Sequence, residues 1–276
     1  MNPVKKKLFV KLINNKAVWT IIKPFAKFGY FVFNNRNKPQ PPPNNDSERY
    51  NSIFTDKVVL HGPFKGMKYS SMASVGSMLY PKLLGSYERE LHGVIDNLIA
   101  NNYNQILDIG CAEGYYAIGL AIKSPASKIY AYDTDPVGRE LCEKMAELNG
   151  VADRVIMGET CTADELLHFD FTDSALIVCD CEGYEEYLFN QENVKKLKNC
   201  DLLIETHDFV NLNISGTLIE LFSATHNIQV IKSIDDIEKA KTYVYDETKH
   251  LSLEDKMKLY RECRPAIMEW LYCTKK

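Results

Sequence analysis

The first 38 residues contain no Asp or Glu, the 276-residue chain contains no CxxC pair, and no apolar run reaches the ~18 residues of a convincing membrane-spanning helix. The missing CxxC pairs exclude a structural zinc ribbon of the usual ligand spacing. Eight cysteines, at 111, 142, 161, 179, 181, 200, 263 and 273, are too dispersed for the disulfide framework of a small secreted scaffold. Reduced thiols and a cytoplasmic location are therefore expected. No small-residue cleavage site follows an apolar signal core. Neither GxGxxG nor GxxxxGK(S/T) occurs, which argues against the common dinucleotide and ATP loops. With 45% hydrophobic and 25% charged residues, the chain has the composition of a globular protein with a sizeable core.

The acid-free stretch is where positive charge accumulates. Nine Lys and Arg residues lie between Lys5 and Lys38, interleaved with Leu8, Phe9, Val10, Trp19, Ile21 and Phe25, although the whole chain carries a formal charge of -4. A basic amphipathic segment of this kind can cover a neighbouring groove, make an oligomer contact, or lie peripherally on an anionic membrane. Nucleic acid is not expected as a partner, because beyond this segment the acidic total leaves no sustained basic surface. The run KPQPPPNNDSE, residues 38–48, favours extended polyproline geometry and marks a boundary. The expected organisation is a basic extension and linker over 1–48, a hairpin and helical cap region over 49–100, and the main domain over 101–276.

In the cap region, KVVLHGPFKGMKYS is punctuated by Gly62-Pro63 and Gly66 and predicts a short hairpin. YERELHGVIDNLIANN predicts a helix whose apolar stripe is Leu91, Val94, Ile95, Leu98 and Ile99. From Gln105 onward strands and helices alternate, with QILDIG, KIYAYD, RVIMGE, ALIVCD, DLLIET and IQVIKSI as the strand candidates. Asp135 is placed to cap a helix with Pro136 at its first position, and Thr162 and Glu165 have the spacing of a capping box. Such alternation predicts an α/β, doubly wound, mostly parallel sheet, with AIMEWLYCTK as an antiparallel last strand.

ILDIGCAEGYYAIGLA carries the most information. A strand ending at Asp108 runs into Gly110 and Gly114, whose missing side chains permit a tight turn and close ligand approach before a helix. The next strand ends in AYDTDP, where Asp133 is placed to accept from the two hydroxyls of a ribose. Glu159, Thr160, Cys161 and Thr162, after the third strand, are placed to border an adenine, with a helix cap as the alternative for Thr162. At the start of the preceding helix, Tyr87 and Glu88 are candidates to close this crevice, or else simply begin a solvated helix.

This combination resembles the Rossmann-like methyltransferase superfamily that binds S-adenosylmethionine, over roughly Glu88 to the C terminus. The resemblance implies a seven-stranded, mostly parallel sheet with an antiparallel last strand. It also implies Asp108 and Gly110 beside the methionine end of the cofactor, Asp133 at the ribose and the Cys161 region at the adenine. Downstream, VCDCEGYE (Val178 to Glu185) followed by ETH (Glu205 to His207) resembles the K-I-D-V-E-G-x-E and E-x-H runs of FkbM-type methyltransferases. Val178 stands where that family has lysine, and Cys181 where it has an apolar residue.

Asp180 ends one strand while Glu205 and His207 end another, two positions apart and so on one side of it. Were the two strands neighbours, the three would converge over the methyl donor. His207 is the preferred general base, since an imidazole titrates near neutrality. Asp180 is expected to orient the acceptor or take the proton, and Glu205 to hold the imidazole or ligate a metal. No distinctive coordinating motif is present, so no metal is expected. Glu182 and Glu185 either favour the next helix's N terminus or line the acceptor entrance. The leading expectation is methyl transfer to a hydroxyl of a small molecule or glycan. An N-methyltransferase and a catalytically inactive adenosyl-ligand binding protein are the alternatives.

Overall fold

The strand candidates pair as one sheet. In the computed structural model, which describes residues 50–276, Gln105–Ile109 (β1), Lys128–Tyr132 (β2), Val155–Gly158 (β3), Ala175–Cys179 (β4) and Cys200–Thr206 (β5) run parallel. His226–Lys232 (β6) and Glu269–Lys275 (β7) complete a seven-stranded sheet of order β3-β2-β1-β4-β5-β7-β6, in which β7 is antiparallel to both neighbours. The expected mostly parallel α/β sheet with an antiparallel last strand is the fold observed. Ile53–Lys276 form one compact unit, and the expected extension and linker over 1–48 lie outside the described residues. No helix among the described residues is long and apolar enough to cross a membrane.

The central strands read as unbroken apolar runs because they are covered on both faces. Every residue of β4 and β5 is buried. Register then decides which residues share a face: Asp108 lies beside Val178, Val178 beside Leu203, and Glu205 beside Trp270. Side chains alternate along each strand, so Asp108, Asp180, Glu205 and His207 belong to one face of the sheet at the C-terminal ends of β1, β4 and β5. Leu107, Ile109, Ile177, Cys179, Leu202 and Ile204 fill the core on the other face.

The connecting helices are Leu79–Leu84 (α1), His92–Ala100 (α2), Tyr115–Lys123 (α3), Pro136–Leu148 (α4), Ala163–His168 (α5), Glu185–Leu188 (α6), Ile214–Phe222 (α7), Asp236–Thr242 (α8) and Leu253–Tyr260 (α9). Asp135 caps α4 by accepting from Val137 N, with Pro136 at its first position. Thr162 and Glu165 form the full capping box of α5. Thr162→Ala is expected to lose about 1 kcal/mol, lowering the melting temperature by roughly 2–4 °C in a thermal scan.

Three elements differ from expectation. The hairpin over 57–70 turns back but contributes only the isolated antiparallel bridge Val58 to Lys68, because glycines at 62 and 66 with positive φ break the ladder. The helix expected from Tyr87 begins with a 3-10 turn at Arg89–Leu91 and is α-helical only from His92, since Glu88 adopts a left-handed conformation at φ 47°. Helix α8 had no apolar stripe to announce it; it starts where Asp235 accepts from Ile237 N and Glu238 N.

Candidate functional site

The loop after β1 is built around glycine. Gly110 has φ 89°, and a Cβ there would fall 1.7 Å from the main-chain oxygen of Asp180. The end of β4 therefore packs directly on the loop, which is how Asp180 comes beside it. Ala112 also holds a positive φ of 48°, and its N–H donates to Asp133 Oδ2 at 2.7 Å. Gly114, at φ 97°, precedes α3, where a Cβ would strike Cys142 Sγ at 2.7 Å.

Glu113 ties this loop to the cap region. Its buried carboxylate accepts from Lys82 Nζ at 2.6 Å, Ser74 Oγ at 2.7 Å and Val75 N at 3.0 Å. Burial opposes that charge, but Lys82 and these donors outweigh it and hold the carboxyl below its ordinary value.

Asp108 is 2% exposed and one of its carboxylate oxygens, Oδ2, has no hydrogen-bond partner. Burial, reinforced by the charges of Asp180 and Asp133, pushes its pKa up to about 8, against a main-chain bond from Ala117. A buried acceptor left without a donor is costly, and here it sits at the C-terminal end of a parallel strand, where ligands of such folds bind. Asp133, half-buried, already accepts from Ala112 N and Asp135 N, each at 2.7 Å. Cys161 is 5% exposed and lies within the core cluster, whereas Glu159 and Thr160 beside it are exposed. Thr162 serves as the α5 cap.

At the ends of β4 and β5, which are neighbours, three expected residues meet. His207 Nε2 lies 3.4 Å from Asp180 Oδ1 and 3.9 Å from Glu205 Oε2. Its other nitrogen, Nδ1, lies 2.9 Å from Glu185 Oε1, out of line for a full hydrogen bond. Thus Glu185 at the start of α6 flanks the imidazole from behind, while Asp180, with a side chain 30% exposed, faces outward. Burial disfavours the imidazolium, but Glu185, Asp180 and Glu182 together outweigh it and raise the His207 pKa above its ordinary value. Glu185, in turn, is penalised by burial and held below its ordinary value by His207.

Glu205 turns away from the imidazole to Arg264. One guanidinium contacts three buried carboxylates, with Nη1 on Glu205, Nη2 on Glu88 and Nε on Glu262. Glu88 is therefore no solvated helix start: it is 1% exposed and also receives the Tyr116 hydroxyl. Burial pushes the Glu88 pKa up to about 7 and raises that of Glu205 well above the usual carboxylate range, with Arg264 opposing both. In the sequence Arg264 simply precedes Pro265, just before the last strand. Two of its three partners, Glu205 and Glu88, lie 59 and 176 residues away, so no local pattern could announce those contacts.

Donor atoms of Asp180, Glu205 and His207 lie within 4.8 Å of one another and so could converge on a divalent ion. Arg264, however, already supplies a countercharge to one Glu205 oxygen. The same arrangement can instead accept a proton from a hydroxyl placed against Asp180, with the imidazole as its immediate neighbour.

Comparison with known proteins gives local likenesses. Residues 93–180 match the family described as ribosomal protein L11 methyltransferase (PrmA), which is less than half of the chain. A curated relative from Pyrobaculum aerophilum, a probable cobalt-precorrin-6B C(15)-methyltransferase (decarboxylating), is 40% identical over 55 residues, 20% of this chain and 28% of that protein. The chain thus matches little more than a quarter of that relative's length. Among solved structures, cofactor-bound Rv0187 from MTB is similar with TM-score 0.47 and 12% identity, covering 68% of this chain and 81% of the other. The precorrin-6y C5,15-methyltransferase of Geobacter metallireducens is similar with TM-score 0.44 and 13% identity, covering 67% and 89%.

Proposed function

We propose that this protein is an S-adenosylmethionine-dependent methyltransferase that methylates a hydroxyl oxygen of a small molecule or glycan. The observation that carries the reading is the placement of an orphaned buried carboxylate, Asp108, on the same face and strand-end as the Asp180–His207 pair. The matched methyltransferase segment, residues 93–180, spans the Asp108 loop and ends at Asp180. The FkbM-type resemblance of the 178–185 and 205–207 runs is the finer family reading.

When bound, the cofactor supplies a methyl group on an activated sulfonium. Asp108 and the glycine turn would hold its methionine end, where a cationic group would satisfy the orphaned oxygen. Asp133 has about four lone-pair sites, of which two are taken by main-chain N–H groups, leaving acceptors for ribose hydroxyls. Cys161 and the exposed Glu159 and Thr160 beside it would border the adenine. At the acceptor side, Asp180 orients the hydroxyl. Held by Asp108 and Asp133, the cofactor would supply its methyl group to that oxygen and keep the released electron pair on its sulfur. The hydroxyl proton passes to the Asp180–His207 pair, so no covalent enzyme intermediate is needed.

Calorimetry with S-adenosylmethionine tests the cofactor half. Asp133→Ala is expected to weaken binding roughly tenfold or more, through loss of charge-assisted bonds. Equal affinity in a folded Asp133→Ala protein removes the ribose assignment. Adenosyl-ligand binding without label transfer to any acceptor would favour an inactive binding protein instead.

A further inference from the structure

The loops that leave β4 and β5 are clamped together. A Cβ on Gly183 would lie 3.1 Å from Val210, Asn211 Nδ2 donates to Glu186 Oε2 at 2.6 Å, and the Phe209 ring stands edge-on to His207 with centroids 5.8 Å apart. Loops so fixed ordinarily bury their large apolar side chains against each other. These do the opposite: Tyr184, Tyr187, Phe209, Val210 and Leu212 are 40, 55, 48, 56 and 85% exposed. Fourteen large hydrophobic residues are exposed among the described residues, and these two four-residue segments hold five of them. Tyr184 and Tyr187 tilt only 32° from one another at 5.9 Å, so together they present a broad ring face. Concentrated apolar exposure beside a polar site marks a recognition surface more often than a chance of packing.

The charge around this surface narrows what fits. Asp180, Glu182, Glu185 and Glu205 all sit at the same strand ends, and the nearby guanidinium of Arg264 is already engaged by Glu88, Glu205 and Glu262. A phosphate or carboxylate on the acceptor would add like charge to this group of carboxylates, with no guanidinium left to receive it. Apolar rings next to hydroxyl-binding carboxylates suit a molecule that is flat and apolar on one side and hydroxylated on the other.

We propose that the 184–187 and 209–212 segments form the acceptor-recognition surface, and that the acceptor is an uncharged, hydroxyl-bearing ring compound with an apolar body, such as an aryl glycoside. This rests on the methyl-transfer reading and names the acceptor class of that site. The ring lies on Tyr184, Tyr187 and Phe209 while one hydroxyl reaches Asp180.

Ligand-observed NMR on the full chain loaded with S-adenosylhomocysteine tests it, using p-nitrophenyl hexosides, free hexoses and hexose 6-phosphates as probes. The aryl glycosides should bind, free hexoses at least tenfold more weakly, and the phosphates not at all. Tyr187→Ala and Leu212→Ser, both well exposed and outside the proton-transfer pair, should weaken aryl-glycoside binding at least tenfold with S-adenosylhomocysteine affinity unchanged. Binding of the phosphates as tight as that of the glycosides overturns the proposal, as does indifference to both substitutions or silence of every probe on a chain that binds S-adenosylhomocysteine. Failure of S-adenosylhomocysteine itself to bind is a separate result, which removes the methyl-transfer reading and this one with it.

Discussion

Replacing His207 with alanine is expected to lower turnover by about 10²–10⁴-fold, the usual contribution of a positioned acid–base group, while cofactor affinity stays within about twofold. The imidazole is 3% exposed and stands between two carboxylates, Glu185 at Nδ1 and Asp180 at Nε2. Its contacts are with Asp180, Glu185, Glu205 and Phe209, so its loss should leave Asp108 and Asp133 in place for the cofactor. Asp180 remains in the variant but loses the neighbour with which it shares the proton, and a carboxylate alone is a weaker base for a hydroxyl than one paired with an imidazole. Turnover with a labelled methyl donor, set beside calorimetry for the cofactor, separates the two effects. Equal turnover of wild type and His207→Ala across neutral pH removes the imidazole from proton transfer.

The acidic limb of the rate profile follows from the same geometry. The working form of the pair is the one with a proton missing, so the rate falls as pH drops through the His207 pKa. Burial pulls that pKa down, but Glu185, Asp180 and Glu182 raise it above its ordinary value, which places the limb above about pH 6.5. Asp180→Asn removes one of the groups that raise it. The residual activity of that variant should therefore show its limb shifted to lower pH, as well as a reduced plateau. A limb that stays in place while the plateau falls would show that the charge of Asp180 does not act on the imidazole.

The parts of this site legible in the sequence are those that follow strand periodicity. Asp108, Asp180, Glu205 and His207 could be placed because each ends an apolar strand, and a two-residue spacing puts Glu205 and His207 on one side. The helix caps at Asp135 and Thr162 were legible for a similar reason, since their chemistry is completed within three residues. What could not be read is pairing between distant irregular segments. Glu185 belongs to a four-residue helix, too short for periodicity to show its facing, and its position under the imidazole depends on the neighbouring strand. Glu205 was expected to hold that imidazole or ligate a metal; one of its oxygens lies 3.9 Å from the imidazole, and the other is on an arginine in the coil after α9, which no strand periodicity announces. Lys82 and Glu113 likewise find each other across 31 residues, one in the cap region and one in the loop after β1.

Arg264→Met should destabilise the protein by several kcal/mol, because it strips the shared cation from three carboxylates that have nowhere to be solvated. Breaking one partner of a buried ion pair costs about 3–5 kcal/mol, which for a chain of this size corresponds to a fall of roughly 10 °C or more in melting temperature. Glu88, Glu205 and Glu262 are 1, 3 and 6% exposed, and Lys239 is left as the remaining cation, on Glu262. The sign of the pH dependence gives the argument its test. Burial raises the folded-state pKa of Glu88 to about 7 and that of Glu205 well above its ordinary value, and Arg264 opposes both shifts. An acid with a raised folded pKa contributes stability that is complete below its unfolded pKa and is lost as pH climbs through the folded one. Without Arg264 those pKa values rise further, so the variant's deficit should be smallest at acid pH, where the carboxyls are protonated, and widen as pH rises past about 7. Adding Glu205→Gln should restore part of the lost stability at high pH by removing a charge that no longer has its partner. A deficit equal at pH about 5 and about 8, with no rescue by Glu205→Gln, would show that Arg264 stabilises the fold through packing of its side chain rather than through its charge.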